Sequence, residues 1–156
     1  MLLQDPRGPT ADRLRVNLAQ VSYLEGLEHL HKNSIPSAHG CFHDAIALLR
    51  TCAPAVRDLP ICGALEARLL RALGDTALYQ GDTCGAYRCY REAQGMSGDD
   101  SVTLSCVYSG LAALALIADD SDEAERYLHE AEEDDDISFR SRLGKSSCPN
   151  GTISRR

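Results

Sequence analysis

Apolar residues recur at helical spacing along most of this chain. In the first stretch, Leu14, Leu18, Val21, Leu24 and Leu27 follow one another at three- and four-residue intervals, which is the period of one face of an α-helix. Runs of Val, Ile and aromatic residues of the kind that form β-strands are absent from the sequence. The pattern therefore predicts an all-α protein.

Turn-forming and helix-ending residues between the apolar stretches divide the chain into six predicted helices. Their expected ranges are 11–32, 35–49, 59–80, 83–94, 101–118 and 122–133. Residues 51–60 contain two prolines and are predicted to be a linker. Thr10, Ser34, Asp58 and Asp82 are the expected N-caps, because their side chains can accept hydrogen bonds from free backbone N–H groups.

A five-point pattern of small and large residues occurs three times, with the later members at +7, +12, +16 and +19 from the first. Small residues at 0, +12 and +19 allow two helices to approach closely, and the large residue at +16 fills the space between them. The residue at +7 lies where a helix must end and turn. The pattern predicts a helix–turn–helix unit repeated three times. The copies are Gly26, Asn33, Ala38, Phe42 and Ala45; Gly74, Gly81, Ala86, Tyr90 and Ala93; and Ala112, Asp119, Ala124, Leu128 and Ala131.

These residues, and those of the second copy above all, resemble the signature of the tetratricopeptide repeat family. The resemblance covers about residues 11–133. It implies about three antiparallel helix pairs, in residues 10–133, stacked as a short right-handed α-solenoid. It also implies a concave groove that holds a peptide or a helix of a partner protein, without catalytic activity. Residues 134–156 are rich in polar and charged residues and are expected to form a disordered tail.

The resemblance further implies which residues line the groove, because in this family the first helix of each pair faces it. The expected partner-binding residues are Gln20, Tyr23, Leu27, Leu30 and His31 in the first copy and Arg68, Arg71, Asp75, Leu78 and Tyr79 in the second. The corresponding residues of the third copy are Cys106, Ser109, Ala113, Leu116 and Ile117.

Arg68 and Arg71 are the most informative charged pair, since residues three apart share a helix face. An arginine can bind a carboxylate or phosphate through a planar fork of donors, so one alternative is recognition of an acidic or phosphorylated peptide. The other alternative is that the two arginines pair with Glu66, Asp75 or a neighbouring helix. The sequence leaves both open.

The net charge excludes some classes of binding partner, and the cysteine content indicates the cellular compartment. The net charge of −7 disfavours nucleic acid, which requires clustered Lys and Arg, and anionic membrane surfaces. The apolar run 102–118 is short for a bilayer span and is interpreted as a buried helix, so no membrane insertion is expected. Seven cysteines without a C-x-x-C motif indicate a reducing compartment, cytoplasmic or nuclear.

No cluster of residues in the sequence predicts a metal site or a catalytic site. His39 and His43 could share a helix face, but no further ligand lies at the spacing of a zinc site, and neither a metal nor another cofactor is expected. No nucleophile has a recognisable base and acid beside it, so the chain is not expected to be an enzyme. The favoured function is a protein–protein interaction scaffold. The alternative is a regulatory or accessory domain, or a shortened form, of a larger protein or enzyme complex.

Overall fold

Seven helices make up the part of the chain that the structure, a computed structural model, describes: residues 8–98 and 100–143, with side chains described as far as residue 133. All elements of this part are helical, which confirms the predicted all-α class. The helices are α1 (Pro9–His31), α2 (Ile35–Arg50), α3 (Pro54–Arg57), α4 (Pro60–Tyr79), α5 (Thr83–Met96), α6 (Ser101–Ile117) and α7 (Ser121–Leu143).

The predicted linker 51–60 contains the one-turn helix α3, and the start of α4 differs from the prediction. Leu59, not Asp58, is the N-cap of α4, and Asp58 instead ends α3. Pro60 occupies the first turn of α4, where its fixed φ suits a helix and its missing N–H costs nothing. The proline therefore decides where this helix begins, and the capping prediction for Asp58 was wrong.

Of the other three expected N-caps, Thr10 was wrong, whereas Ser34 and Asp82 are confirmed. The N-cap of α1 is Gly8 rather than Thr10, because a proline follows Gly8 at the first helical position. Ser34 is the N-cap of α2, although its side chain makes no capping hydrogen bond. Asp82 is the N-cap of α5, and its Oδ1 accepts a hydrogen bond of 3.0 Å from the backbone N–H of Gly85.

Helix α7 is longer than the sequence pattern predicted. It extends past the expected end at Glu133 to Leu143, so its last turns occupy the first part of the expected tail. The segment from Ser121 to Leu143 contains neither proline nor glycine, and nothing in it breaks a helix before Gly144. The rest of the expected tail, residues 144–156, lies outside the described residues.

Three turns close in the same way at the predicted positions. Asn33, Gly81 and Asp119 have φ angles of 59°, 81° and 61°, in the left-handed region that Gly, Asn and Asp tolerate best. The following residue then donates its backbone N–H to the carbonyl five positions back, at 2.8 Å, 2.9 Å and 2.9 Å. This is the hydrogen bond of a Schellman motif, which satisfies a free carbonyl at the helix end.

Two aromatic rings lie against glycines, as the first two copies of the pattern predicted. Phe42 is fully buried beside Gly26, where an added Cβ would lie 2.4 Å from the ring. Tyr90 is fully buried between Gly74 in α4 and Gly110 in α6, where added Cβ atoms would lie 2.6 Å and 2.4 Å from its ring. Any side chain at these glycines would displace the ring or the helix.

The third copy departs from this arrangement. Leu128, the predicted filler, is 46% exposed, whereas the adjacent Tyr127 is 7% exposed and stacks on Tyr108 with ring centroids 6.4 Å apart. Tyr90 is covered by a helix of the following pair, but no described helix follows α7. The position equivalent to Tyr90 therefore stays open, and the prediction for Leu128 was wrong.

The long helices pack mainly with their neighbours in the chain: α1 with α2, α4 with α5, and α6 with α7. Contacts of α2 with α4, and of α6 with both α4 and α5, join these pairs into one core. Asp12 connects the start of α1 to the N-cap of α3, since its buried carboxylate accepts a hydrogen bond of 3.0 Å from the backbone N–H of Ala53. That bond, with the nearby Arg15, lowers the pKa of Asp12.

Two glycines of α4 test the importance of close packing. Gly74→Ala should lower the free energy of unfolding by ~1–3 kcal/mol, because the new methyl group overlaps the Tyr90 ring. Gly63→Ala, in the same helix, should raise it by about 0.5–1 kcal/mol, since a Cβ there meets nothing within 4 Å. Urea denaturation of the wild type and both variants measures the effects, and equal stability of the two variants would contradict the packing described here.

Candidate functional site

An open cavity of about 730 Å³ lies among α1, α4 and α6. Its walls come from the turn between α1 and α2, from one face of α4, from the Tyr90 ring and from the middle of α6. The lining residues are Leu30, Asn33, Ile35, Arg71, Asp75, Leu78, Tyr79, Tyr90, Ser105, Cys106, Ser109 and Gly110.

Helix α4 supplies one wall of this cavity because of its residue spacing. Arg71, Asp75 and Leu78 follow at intervals of four and three residues, so they share one side of the helix. Leu78 packs partly against the core, and Tyr79, at the end of α4, is 77% exposed. The cavity therefore has a polar wall and, beside it, an apolar edge with an exposed aromatic ring.

The polar wall is a network of Arg71, Asp75 and Tyr90. Arg71 Nη1 donates to Asp75 Oδ2 at 3.2 Å, and Tyr90 Oη donates to Asp75 Oδ1 at 2.6 Å. Both carboxylate oxygens of Asp75 thus accept hydrogen bonds, and the two side chains from α4 are held in place by a third from α5. Such a fully hydrogen-bonded network is a rigid polar surface.

Burial sets the direction of the pKa shift for two of the three groups in this network, Asp75 and Tyr90. It raises the pKa of Asp75, although the hydrogen bond from Tyr90 and the charge of Arg71 act in the opposite direction. Burial, together with the charge of Asp75, also raises the pKa of the Tyr90 hydroxyl. Burial alone would lower the pKa of Arg71, but the neighbouring Asp75 and Tyr23 raise it overall.

The second arginine of the predicted pair lies elsewhere. Arg68 Nε is 3.4 Å from Asp100 Oδ2, and Asp100 is the N-cap of α6, where it also accepts a hydrogen bond of 2.7 Å from Thr103 Oγ1. Burial opposes ionisation of Asp100, but the hydrogen bonds from Thr103 and the charge of Arg68 lower its pKa. Both arginines therefore face carboxylates of the chain itself, which favours the pairing alternative over a shared site for an acidic ligand.

The cavity brings together half of the predicted partner-binding residues of the first two copies. Leu30, Arg71, Asp75, Leu78 and Tyr79 line it, as do Cys106 and Ser109 of the third copy. The remaining predicted residues do not belong to its walls. They are Gln20, Tyr23, Leu27, His31 and Arg68, and in the third copy Ala113, Leu116 and Ile117.

Packing explains why two of these predicted residues, Tyr23 and Leu27, lie outside the cavity walls. The Tyr23 ring lies 5.9 Å from the Phe42 ring, and Leu27 packs against the core, so both contribute more to the interface between α1 and α2 than to an open surface. The sequence reasoning missed Asn33, Ile35, Tyr90, Ser105 and Gly110. A signal was available for Tyr90, because a buried tyrosine usually brings a polar partner to its hydroxyl.

The two histidines considered as metal ligands, His39 and His43, do not line this cavity. His39 Nδ1 lies 2.7 Å from Thr76 Oγ1, and that hydroxyl donates to the carbonyl of Leu73. Thr76 must therefore accept from His39, so the histidine joins α2 to α4. Within the described residues, no three His, Cys, Asp or Glu side chains are grouped as metal ligands would be. Across residues 8–98 and 100–143, no helix has the length and apolarity required to cross a bilayer.

The pKa of Asp75 provides a test of the buried network. Asp75 should titrate above the usual 3.8, so the folded chain holds this proton more tightly than the unfolded chain does. The contribution of Asp75 to stability therefore falls as the pH rises from 3.8 through the folded pKa. Tyr90→Phe removes a hydrogen bond to the charged carboxylate and should raise the pKa further.

Carbon-13 NMR titration of the side-chain carboxyl groups measures these values, with Asp100 as an internal control that should titrate below 3.8. An Asp75 pKa at or below 3.8, or a decrease in the Tyr90→Phe variant, would show that the network is not buried as described.

The cavity thus combines an exposed aromatic ring, aliphatic side chains and one satisfied polar network in a single concave surface. No family model, no curated protein and no solved structure matches the chain.

Proposed function

We propose that this chain is a protein–protein interaction scaffold, and that the cavity among α1, α4 and α6 holds a peptide or helix of a partner protein. The observation that carries the proposal is the composition of the cavity. Leu30, Leu78 and the 77% exposed Tyr79 lie beside the Arg71–Asp75 pair. Concave surfaces with apolar walls and a few placed polar groups are typical of binding sites, and exposed tyrosines are frequent anchors in protein interfaces.

The proposal includes the architecture that the sequence pattern implies, a short α-solenoid similar to tetratricopeptide repeats. Three features support it: the repeated turns at Asn33, Gly81 and Asp119, the ring-to-glycine contacts of Phe42 and Tyr90, and the packing of each helix pair on the next. In such an arrangement the cavity is a segment of the concave groove. The free thiols of the described cysteines suit the proposed cytoplasmic or nuclear location.

The polar wall indicates which ligand groups suit the cavity. Arg71 and Asp75 compensate each other's charge, so an acidic ligand must compete with Asp75 for the guanidinium. The guanidinium has five N–H donors, of which one binds Asp75 and another binds the Tyr23 side chain. The remaining donors suit uncharged acceptors such as the backbone carbonyls of a peptide. The pair therefore favours a peptide bound through its backbone and an apolar side chain over a strongly acidic one.

Site-specific photocrosslinking tests this proposal. A photoreactive phenylalanine analogue at position 79 should capture a defined partner in cells, because the Tyr79 ring stands at the edge of the cavity. The matched control is position 87, since Tyr87 is also exposed, at 48%, but lies on α5 outside this cavity. Recovery of the same protein from both positions would contradict binding in the cavity.

The captured partner then permits a quantitative test. Tyr79→Ala should weaken its affinity by about 2 kcal/mol or more if the ring is an interface anchor, whereas Tyr87→Ala should leave it unchanged. Isothermal titration calorimetry measures both affinities, and equal affinities would remove Tyr79 from the binding site. Capture of one enzyme alone, with an effect on its activity, would favour the accessory-domain alternative.

A further inference from the structure

The outer side of α1 carries a row of apolar side chains that no described helix covers. Leu14, Leu18, Val21 and Leu24 are 58%, 45%, 51% and 62% exposed, and we call them the outer row. Their spacing of four, three and three residues places them along one side of the helix. Exposed apolar patches on a helix usually mark an interaction surface.

The outer row is independent of the cavity. Leu30, the α1 residue of the cavity wall, is partly buried and packs against the core, on the other side of α1 from Leu14 by helical periodicity. A molecule on the outer row therefore leaves the cavity accessible, and the two surfaces can be tested separately.

Charged residues of opposite sign lie at the two ends of the outer row. Arg13 lies at its N-terminal end, whereas Glu25 and Glu28 lie at its C-terminal end, and all three are exposed. Glu28 already accepts a hydrogen bond of 2.6 Å from Lys32, so Glu25 supplies most of the negative charge at this end. Glu25 follows Val21 by four residues, so it continues the same line along the helix. The surface is thus basic at one end, apolar in the middle and acidic at the other end.

We propose that the outer row is where two copies of this chain pair, α1 against α1 in antiparallel orientation. A two-fold axis between Leu18 and Val21 would place Leu14 of one copy opposite Leu24 of the other. The same symmetry brings Arg13 of each copy to the acidic end of its partner's α1, so the favourable charge contact forms twice. A parallel pairing would instead oppose the two Glu25 side chains, which like-charge repulsion disfavours.

A second copy matches this surface because the surface is complementary to itself in both apolarity and charge. The segment 144–156 suits it poorly, since Ile153 is its only large aliphatic residue. Pairing of two copies therefore accounts for the apolar row and for the charges at its two ends together.

Sedimentation equilibrium of the full chain over a wide concentration range tests the pairing. The wild type should show a monomer–dimer equilibrium. L18E with V21E should weaken it at least ~100-fold, because four carboxylates would meet at the axis. Both residues are exposed, so the circular dichroism of the monomer should stay unchanged. V102E with L116E is the matched control, since Val102 and Leu116 are 52% and 59% exposed on α6.

A wild type that is monomeric throughout would overturn the proposal. If L18E with V21E then also lowered the melting temperature, the row would be covered by another segment of the same chain. Dimers that L18E with V21E leaves intact, or that the α6 control disrupts equally, would place the interface elsewhere and overturn it as well.

Charge exchange tests the antiparallel orientation. R13E alone, and E25R alone, should each weaken the dimer about tenfold or more through repulsion across the axis. Mixing these two variants should restore dimers, because each copy then offers the charges that the other lacks. R88E, which makes the same charge change on exposed α5 surface, should have no effect. Failure of the mixture to dimerise, with the wild type dimeric, would overturn the antiparallel arrangement.

Discussion

The contact of the Tyr90 ring with two glycines is the interaction on which the rest of this structure depends. The ring fills the space between α4 and α6 so closely that neither Gly74 nor Gly110 could carry a side chain without displacement. The hydroxyl group of the same residue leaves the core and donates to Asp75 in the cavity. One residue of α5 thus sets the spacing of two helices and orients the polar wall between them.

Much of the fold could be predicted because local rules determine it. Asn33, Gly81 and Asp119 are residue types that accept a positive φ, and all three turns lie where the repeated pattern put them. The fit of Phe42 to Gly26 also follows from spacing and size alone. Such features depend on a few neighbouring residues, so a single sequence is sufficient to recognise them.

The errors lie where a distant element or a competing local rule decides the outcome. Leu128 is exposed because no described helix covers it, whereas the pattern treated all three copies alike. Arg68 pairs with the cap of α6, a contact across 32 positions of sequence that helical periodicity cannot reveal. The start of α4 follows Pro60 rather than Asp58, because a proline in the first turn outweighed a capping side chain.

The cavity and the outer row of α1 are two distinct surfaces, and we propose that each of them binds another molecule. The first has a charge-compensated polar wall beside an exposed aromatic ring, which suits a peptide. The second is apolar, with opposite charges at its ends, which suits a second copy. The cavity depends on the packing of α4 and α6 on Tyr90, because both helices and the Tyr90 ring line it.

Nuclear Overhauser effects from the Tyr90 ring test this central claim most directly. The ring protons should show strong cross-peaks to the α-protons of both Gly74 and Gly110, because the ring lies in contact with both backbones. Cross-peaks to Gly74 without any to Gly110 would mean that α6 does not pack on the Tyr90 ring. The stacking of successive helix pairs, and the cavity built on it, would then be contradicted.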